Sequence, residues 1–289
     1  MQPRSPLEPV LAHVRAEPSR TWSIIITFFG DAVVPRGGDV WLGTLLAFFK
    51  GMEISETVVR SAVSRLAAED WLVRTKRGRN SFYHLAERGQ DTFAQATRRI
   101  YYPHRQRWNG AFEALMVENG AREAMAETLK QAGFGMPMPG LFIALDEQAM
   151  PAPAPGMVRL NLGGSTENLR NLAAKAWNLT ALAGFYQQFA EVFTPLRQVL
   201  AQGVGLSLLE AILARVLLIH AYRRIALRDP MLPVEILPVD WPGETAQALC
   251  AEIYEKLLVP SEAWLNANML AGEACSLPEN SEIYTRFSS

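Results

Sequence analysis

Cysteine, histidine and uninterrupted apolar runs are all scarce in this 289-residue chain, and each scarcity excludes something. The two cysteines, Cys250 and Cys275, lie in no CxxC motif and beside no histidine. Such scattered thiols argue against a disulfide framework and for a reducing, cytoplasmic setting. The four histidines, His13, His84, His104 and His220, are widely separated, which disfavours a metal site. No GxGxxG, P-loop, HExxH or GxSxG pattern occurs, so the usual phosphate cradles, zinc-protease helices and nucleophile elbows are missing. The most apolar stretch, "LSLLEAILARVLLIHAYRRIAL", is broken by Glu210, Arg215 and His220, and reads as a buried helix, not a membrane span. The opening "MQPRSPLEPVLAHV" is too broken by proline and charge to read as a signal peptide. The expectation is a cytoplasmic protein with no catalytic residues, no metal and no cofactor.

What is present is an apolar, nearly neutral chain with an uneven charge distribution. Hydrophobic residues make up 49% and the net charge is −1, so there is ample material for a core. Residues 1–110 nevertheless hold 16 Lys and Arg against 10 Asp and Glu, a net of +6, and the remainder carries −7. A basic first third on an acidic body suits one polyanion-binding module joined to domains that do not bind polyanions.

The stretch "ISETVVRSAVSRLAAEDWLVRTKRGRNSFYHLAERG" (Ile54 to Gly89) gives that module a shape. Ser55 stands where an N-cap belongs, and Val59, Ala62, Val63 and Leu66 recur at helical spacing as one buried stripe. The opposite face carries Thr57, Arg60, Ser61, Ser64 and Arg65, which are small, polar or positive and permit close approach to another surface. "WLVRTKRGRNSFYHL" then reads as strand, turn at Gly78 and strand, with Lys76, Arg77, Arg79 and Asn80 at the tip. A short helix, "WLGTLLAFFKG", comes before it. Helix, turn, helix and basic hairpin is the layout of a winged helix-turn-helix. Its second helix reads the major groove, and its wing grips phosphate or the neighbouring minor groove.

The rest of the chain divides by pattern. Residues 1–19 form a lead-in, and "RTWSIIITFFGDAVV" is the first helix of the winged module, which spans 20–103 with a connecting helix ending at Pro103. From 104 to 176, "FEALMVE", "GLFIALD" and "GMVRLNLGG" read as strands and "AREAMAETLKQAGFG" (Ala121 to Gly135) as a helix, together a ferredoxin-like α/β sandwich. A second crossover helix is expected where "EQAMPAPAPG" stands, and three closely spaced prolines make it implausible. From 177 to 289 the pattern is helical apart from the proline-punctuated "RDPMLPVEILPVDWPG". The fold class is thus α+β multidomain.

These pieces resemble a known family. "GDAVVPRGGDVWLGTLL", "VVRSAVSRLAAEDWL", "RRIYYP", "GFGMPMPGLFIA", "AWNL" and "LIHAYRRIALRDPMLPVEILPVDWPG" are similar, in order, to the PaaX-like repressors of phenylacetic acid degradation operons. The resemblance implies a winged helix, a central ferredoxin-like domain similar to the Cas2 fold and a helical C-terminal domain. It also implies a homodimer on double-stranded operator DNA, released when phenylacetyl-coenzyme A binds. An acyl-CoA effector needs an apolar slot and cations. His220, Tyr222, Arg223 and Arg224 are the candidates, against the plainer reading of a cation-favoured helix C-terminus. The likeness to Cas2 also raises a metal-dependent nuclease with Glu113 or Glu118 as ligand, an alternative that surface glutamates at a strand end do not favour. A protein-docking winged helix is the third reading.

Overall fold

A computed structural model describes residues 6–16, 20–105, 107–145, 150–151, 156–269 and 281–287. The described chain packs as two compact units: residues 1–102, 188–227 and 245–289 form the first, and 103–187 with 228–244 the second. The helical C-terminal segments expected to stand apart from the winged module thus share one unit with it, and the boundary falls at 102/103 and within the long helix that follows residue 178.

In the first unit, α1 (Glu8–Ala16) lies in the lead-in and is anchored by the buried Leu7 and Val10. α2 (Thr21–Phe28) continues through one widened turn, Phe29–Val33, and a tight turn, Val34–Arg36, before Gly37 at φ +92° ends it. β1 (Val40–Trp41) leads into α3 (Leu42–Lys50), and α4 (Glu56–Ala68) follows. The hairpin β2 (Leu72–Arg77) and β3 (Asn80–Leu85) completes an antiparallel sheet of order β1-β3-β2. α5 (Glu87–Tyr101) leaves it. The fully buried Phe28, Phe48 and Phe49 join in tilted and edge-on contacts and reach Trp264 on the C-terminal helix. Aromatic packing of this kind adds to plain area burial.

The second unit holds β4 (Ala111–Val117), α6 (Asn119–Gln131), β5 (Gly135–Met138), β6 (Leu141–Ala144) and β7 (Met157–Gly163). The sheet is antiparallel throughout in the order β5-β6-β4-β7. Leu115, Val117 and Phe142 pack with Leu129 and Phe134 into one core. The helix expected over 121–135 ends sooner, at Gln131, and Gly135 opens a strand that periodicity missed because four residues are too few to show one. Gly135 is required there: a Cβ would stand 2.6 Å from the Trp177 ring and 2.7 Å from Ala176 Cβ. The segment "EQAMPAPAPG" lies mostly outside the described residues.

α7 (Thr166–Ala176) begins at Ser165, whose hydroxyl accepts from Asn168 N, and α8 (Leu179–Ala201) follows it. α9 (Leu208–Ala226) opens with a complete capping box, Ser207 with Glu210, and α10 (Gly243–Asn268) is the last long helix. α9 has no polar stripe: Ala211 to His220 are buried without a break. A helix apolar on every side must be surrounded by protein or lipid, and no described helix is long and apolar enough to cross a membrane.

Candidate nucleic-acid interface

α4 has the amphipathicity its spacing predicts. Val59, Val63 and Leu66 are buried, Ala62 is half-buried, and Thr57, Arg60, Ser61, Ser64 and Arg65 are all exposed. Ser55 does occupy the N-cap, but its side chain accepts no capping hydrogen bond; its carbonyl accepts the first helical bond, from Val59 N. The two arginines are held along the helix by carboxylates one turn away. Arg60 lies 3.4 Å from Glu56, and Arg65 Nε donates to Glu69 Oε1 at 2.7 Å. Exposed pairs of this spacing are worth only about 0.3–0.5 kcal/mol. They aim the guanidiniums without committing them, and a phosphate or base edge competes easily.

The hairpin closes in a two-residue loop, Gly78-Arg79, with Gly78 at φ +61°, a conformation that favours glycine. The four cations along it are not equivalent. Arg77 donates to Asp39 Oδ2 at 2.5 Å and lies over the Phe82 ring, 4.7 Å from its centroid. Arg74 spans the hairpin to Ser81 Oγ. Lys76 and Arg79 are exposed and make no hydrogen bond or ion pair among the described residues. Asn80, half-buried, faces Arg77 across the ladder. Two of the predicted tip cations are therefore available to an incoming anion, and one is already compensated inside the protein.

The residues predicted for an effector do not form one site. His220 is buried and shares a 2.9 Å hydrogen bond with Thr27 Oγ1. Burial, with the Arg223 and Arg224 charges, lowers its pKa to about 3. Tyr222 is buried against Phe189 and Phe287. Arg224 is exposed. Arg223 runs back to α2, where its Nη2 donates to Ser23 O at 3.0 Å and Ser23 Oγ at 2.9 Å. Burial first, with the Arg224 charge, lowers its pKa to about 10, so it remains a cation at neutral pH. Asp229, just beyond the helix, accepts from Tyr186 Oη and Met231 N.

Sequence reasoning missed the group that ties this module to the C-terminal helices. Arg215, a mere interruption in an apolar run, is fully buried between Asp31 and Glu262, at 2.8 Å and 2.5 Å. Asp31, in the widened turn after α2, also accepts from Tyr101 Oη, Tyr254 Oη and Arg286 Nη1 at 2.7, 2.9 and 2.9 Å. Glu262 is shared with Arg36 at 2.7 Å. Burial pushes the Tyr254 phenol up to about 12, and raises Tyr101 with help from the Asp31 charge. One helix of the basic module, its connecting helix, α9, α10 and the last turn before Phe287 thus meet at a single carboxylate. The available signal was a lone Arg inside a wholly apolar helix, since a charge is buried only with its partners.

In the second unit, Glu113 Oε1 accepts from Asn161 Nδ2 across the β4–β7 pair at 2.8 Å, and Glu118 is exposed at the N-cap of α6. Among the described residues no group of three or more His, Cys, Asp or Glu could hold a metal ion.

Fold and surface together define a multidomain α+β protein that presents a polar helix face with two exposed arginines, followed by a cation-tipped hairpin. Comparison with known proteins identifies the family. The model for the PaaX-like protein matches residues 20–89, and that for the PaaX-like protein C-terminal domain matches 177–267. Over 283 residues the chain is 32% identical to the transcriptional repressor PaaX of Escherichia coli (strain K12), covering 91% of this chain and 88% of that protein. The chain belongs to the PaaX-like family. A solved structure of an uncharacterized protein from Mycobacterium tuberculosis has a similar fold, with TM-score 0.52 and 20% identity over 76% of this chain and 89% of the other.

Proposed function

We propose that this protein is a ligand-responsive transcriptional repressor of phenylacetic acid catabolism genes, released from operator DNA by phenylacetyl-CoA. The observation that carries the reading is the exposed face of α4 followed by the cationic hairpin, in a chain 32% identical to a transcriptional repressor over 91% of its length. The order α2, α3, α4, β2, β3 supports a winged helix-turn-helix, and the strand order β5-β6-β4-β7 with α6 between β4 and β5 supports a ferredoxin-like central domain.

In this reading α4 enters the major groove. Ser61 and Ser64 allow its backbone close to the base edges, and Arg60 and Arg65 exchange their glutamate partners for bases or phosphates. Lys76 and Arg79 grip the flanking backbone. A homodimer sets two copies of α4 about 34 Å apart, one helical turn of DNA. The effector acts by favouring a state in which the two helices no longer fit successive grooves.

The experiment is fluorescence anisotropy with labelled promoter DNA from the adjoining operon, titrated with protein and then with phenylacetyl-CoA or free CoA. Tight binding reversed by the thioester alone is expected. Binding indifferent to the thioester removes the effector from the reading, and no binding at low salt removes the repressor.

A further inference from the structure

The first unit contains a cavity of about 350 Å³, partly open to solvent, that the DNA-facing residues do not use. Its walls come from three helices: Trp22 and Ile26 on α2, Phe93 and Ile100 on α5, and Ile219 and Arg223 on α9. Its remaining side is the junction that follows α4, where Glu69 and Trp71 line it. The lining is mostly apolar, with Ser23, Thr27, Asp31, Thr92 and Thr97 among its polar members beside Glu69. On two of the lining residues, Trp22 Nε1 and Arg223 Nε are buried and have no hydrogen-bond partner among the described residues. A buried donor left unpaired costs about 1–3 kcal/mol, so packing alone gives no reason to keep two of them beside one cavity. The Arg223 guanidinium is also fixed in place, because its Nη2 is tied to Ser23.

Size narrows the occupant. Ligand pockets commonly run from about 300 Å³ upward, and an apolar cavity of about 150 Å³ already accepts a benzene ring. A ring with a short acyl arm fits here; a nucleotide-bearing carrier does not, and must remain outside. We propose that this cavity is an effector slot for a planar apolar group carrying a carbonyl or carboxylate oxygen, to which Trp22 Nε1 and Arg223 Nε donate. The proposal rests on the ligand-responsive repressor reading and gives it a place.

The position of the slot supplies the coupling. Trp71 N donates to Leu66 O at 2.9 Å, closing the end of α4, and Trp71 O accepts from Ala86 N at 3.0 Å where α5 begins. Glu69, the C-cap of α4, holds Arg65. A ring that presses on Trp71 therefore shifts the end of the DNA-facing helix and the base of the hairpin in one movement, and one that draws Glu69 away frees Arg65. Binding that distinguishes two positions of Trp71 shifts their populations by its differential affinity, and DNA must alter ligand affinity reciprocally.

The test uses the full chain, with phenylacetate, phenylacetyl-CoA and CoA alone as probes in isothermal titration, alongside the DNA-release assay. Ala96→Trp fills the slot from α5, where Ala96 lines it. Trp22→Phe keeps a ring but removes a donor, and serves if the bulkier variant does not fold. The expected result is probe binding weakened about 100-fold in Ala96→Trp by steric exclusion and about tenfold in Trp22→Phe through the lost hydrogen bond. Proportionally more thioester is then needed to release DNA. Unchanged thioester binding in both variants overturns the slot, while continued release of DNA by the thioester keeps the repressor reading. Phenylacetate binding that both variants lose, without any response to the thioester, supports the slot and overturns the thioester as effector. Wild-type protein that binds DNA but none of the aryl probes overturns both.

Discussion

The sharpest prediction concerns the hairpin tip, where the structure divides cations that look alike in sequence. Lys76 and Arg79 are exposed and unengaged among the described residues, whereas Arg77 is paired with Asp39 and lies over Phe82. On duplex DNA each phosphate neutralised contributes about 0.9 to the slope of log K against log salt. Replacing Lys76 and Arg79 together with alanine should therefore reduce the slope by about 1.8 per protomer. Over the fourfold rise from about 50 to 200 mM salt, that is a difference of about 12-fold in how much affinity is lost. Arg77→Ala should change the slope by less than about 0.5, because the charge it removes is already compensated by a carboxylate 2.5 Å away. The assay is anisotropy on operator DNA at four or five salt concentrations, each variant checked for an unchanged thermal midpoint. Equal slope changes from Arg77→Ala and from the double variant, or no change from either, would refute the sorting of the tip.

Two other predictions follow from buried charge. Arg215→Met strands Asp31 and Glu262 with fewer partners and should cost about 3–5 kcal/mol of unfolding free energy in a urea titration; a loss under about 1 kcal/mol would show that Arg286 and Arg36 suffice. His220 has its pKa lowered from 6.5 to about 3, so the fold holds the neutral ring and acid favours the unfolded chain. Relative to His220→Gln, wild-type stability should be constant above about pH 6.5 and fall as the pH drops toward 3, by about 2–3 kcal/mol near pH 4.5. Parallel pH profiles of the two proteins would contradict that.

The segment of α4 and its hairpin was legible because its information is local. The stripe of Val59, Ala62, Val63 and Leu66 assigns the faces of α4 by helical spacing, and Gly78 between two alternating runs marks the hairpin; both hold within about thirty residues. The caps of α7 and α9 rest on equally local contacts, within three residues of Ser165 and Ser207. Local spacing did not reach β5, four residues long and recognisable only by its pairing with β6.

What the linear order of residues could not determine was partnership across distance. That Arg77 is spent on Asp39 while Lys76 is not depends on how β1 returns against β3. That Arg215 belongs to Asp31, and that Arg286 and Tyr254 join it, depends on α9 and α10 packing against a widened turn nearly two hundred residues upstream. Trp22 and Arg223, each with a donor unpaired among the described residues, line one cavity for the same reason. Periodicity and capping are short-range consequences of backbone geometry, so composition and spacing determine them. Charge pairing, desolvation and cavity shape are set by what surrounds a side chain on all sides, and that is decided only when the helices pack.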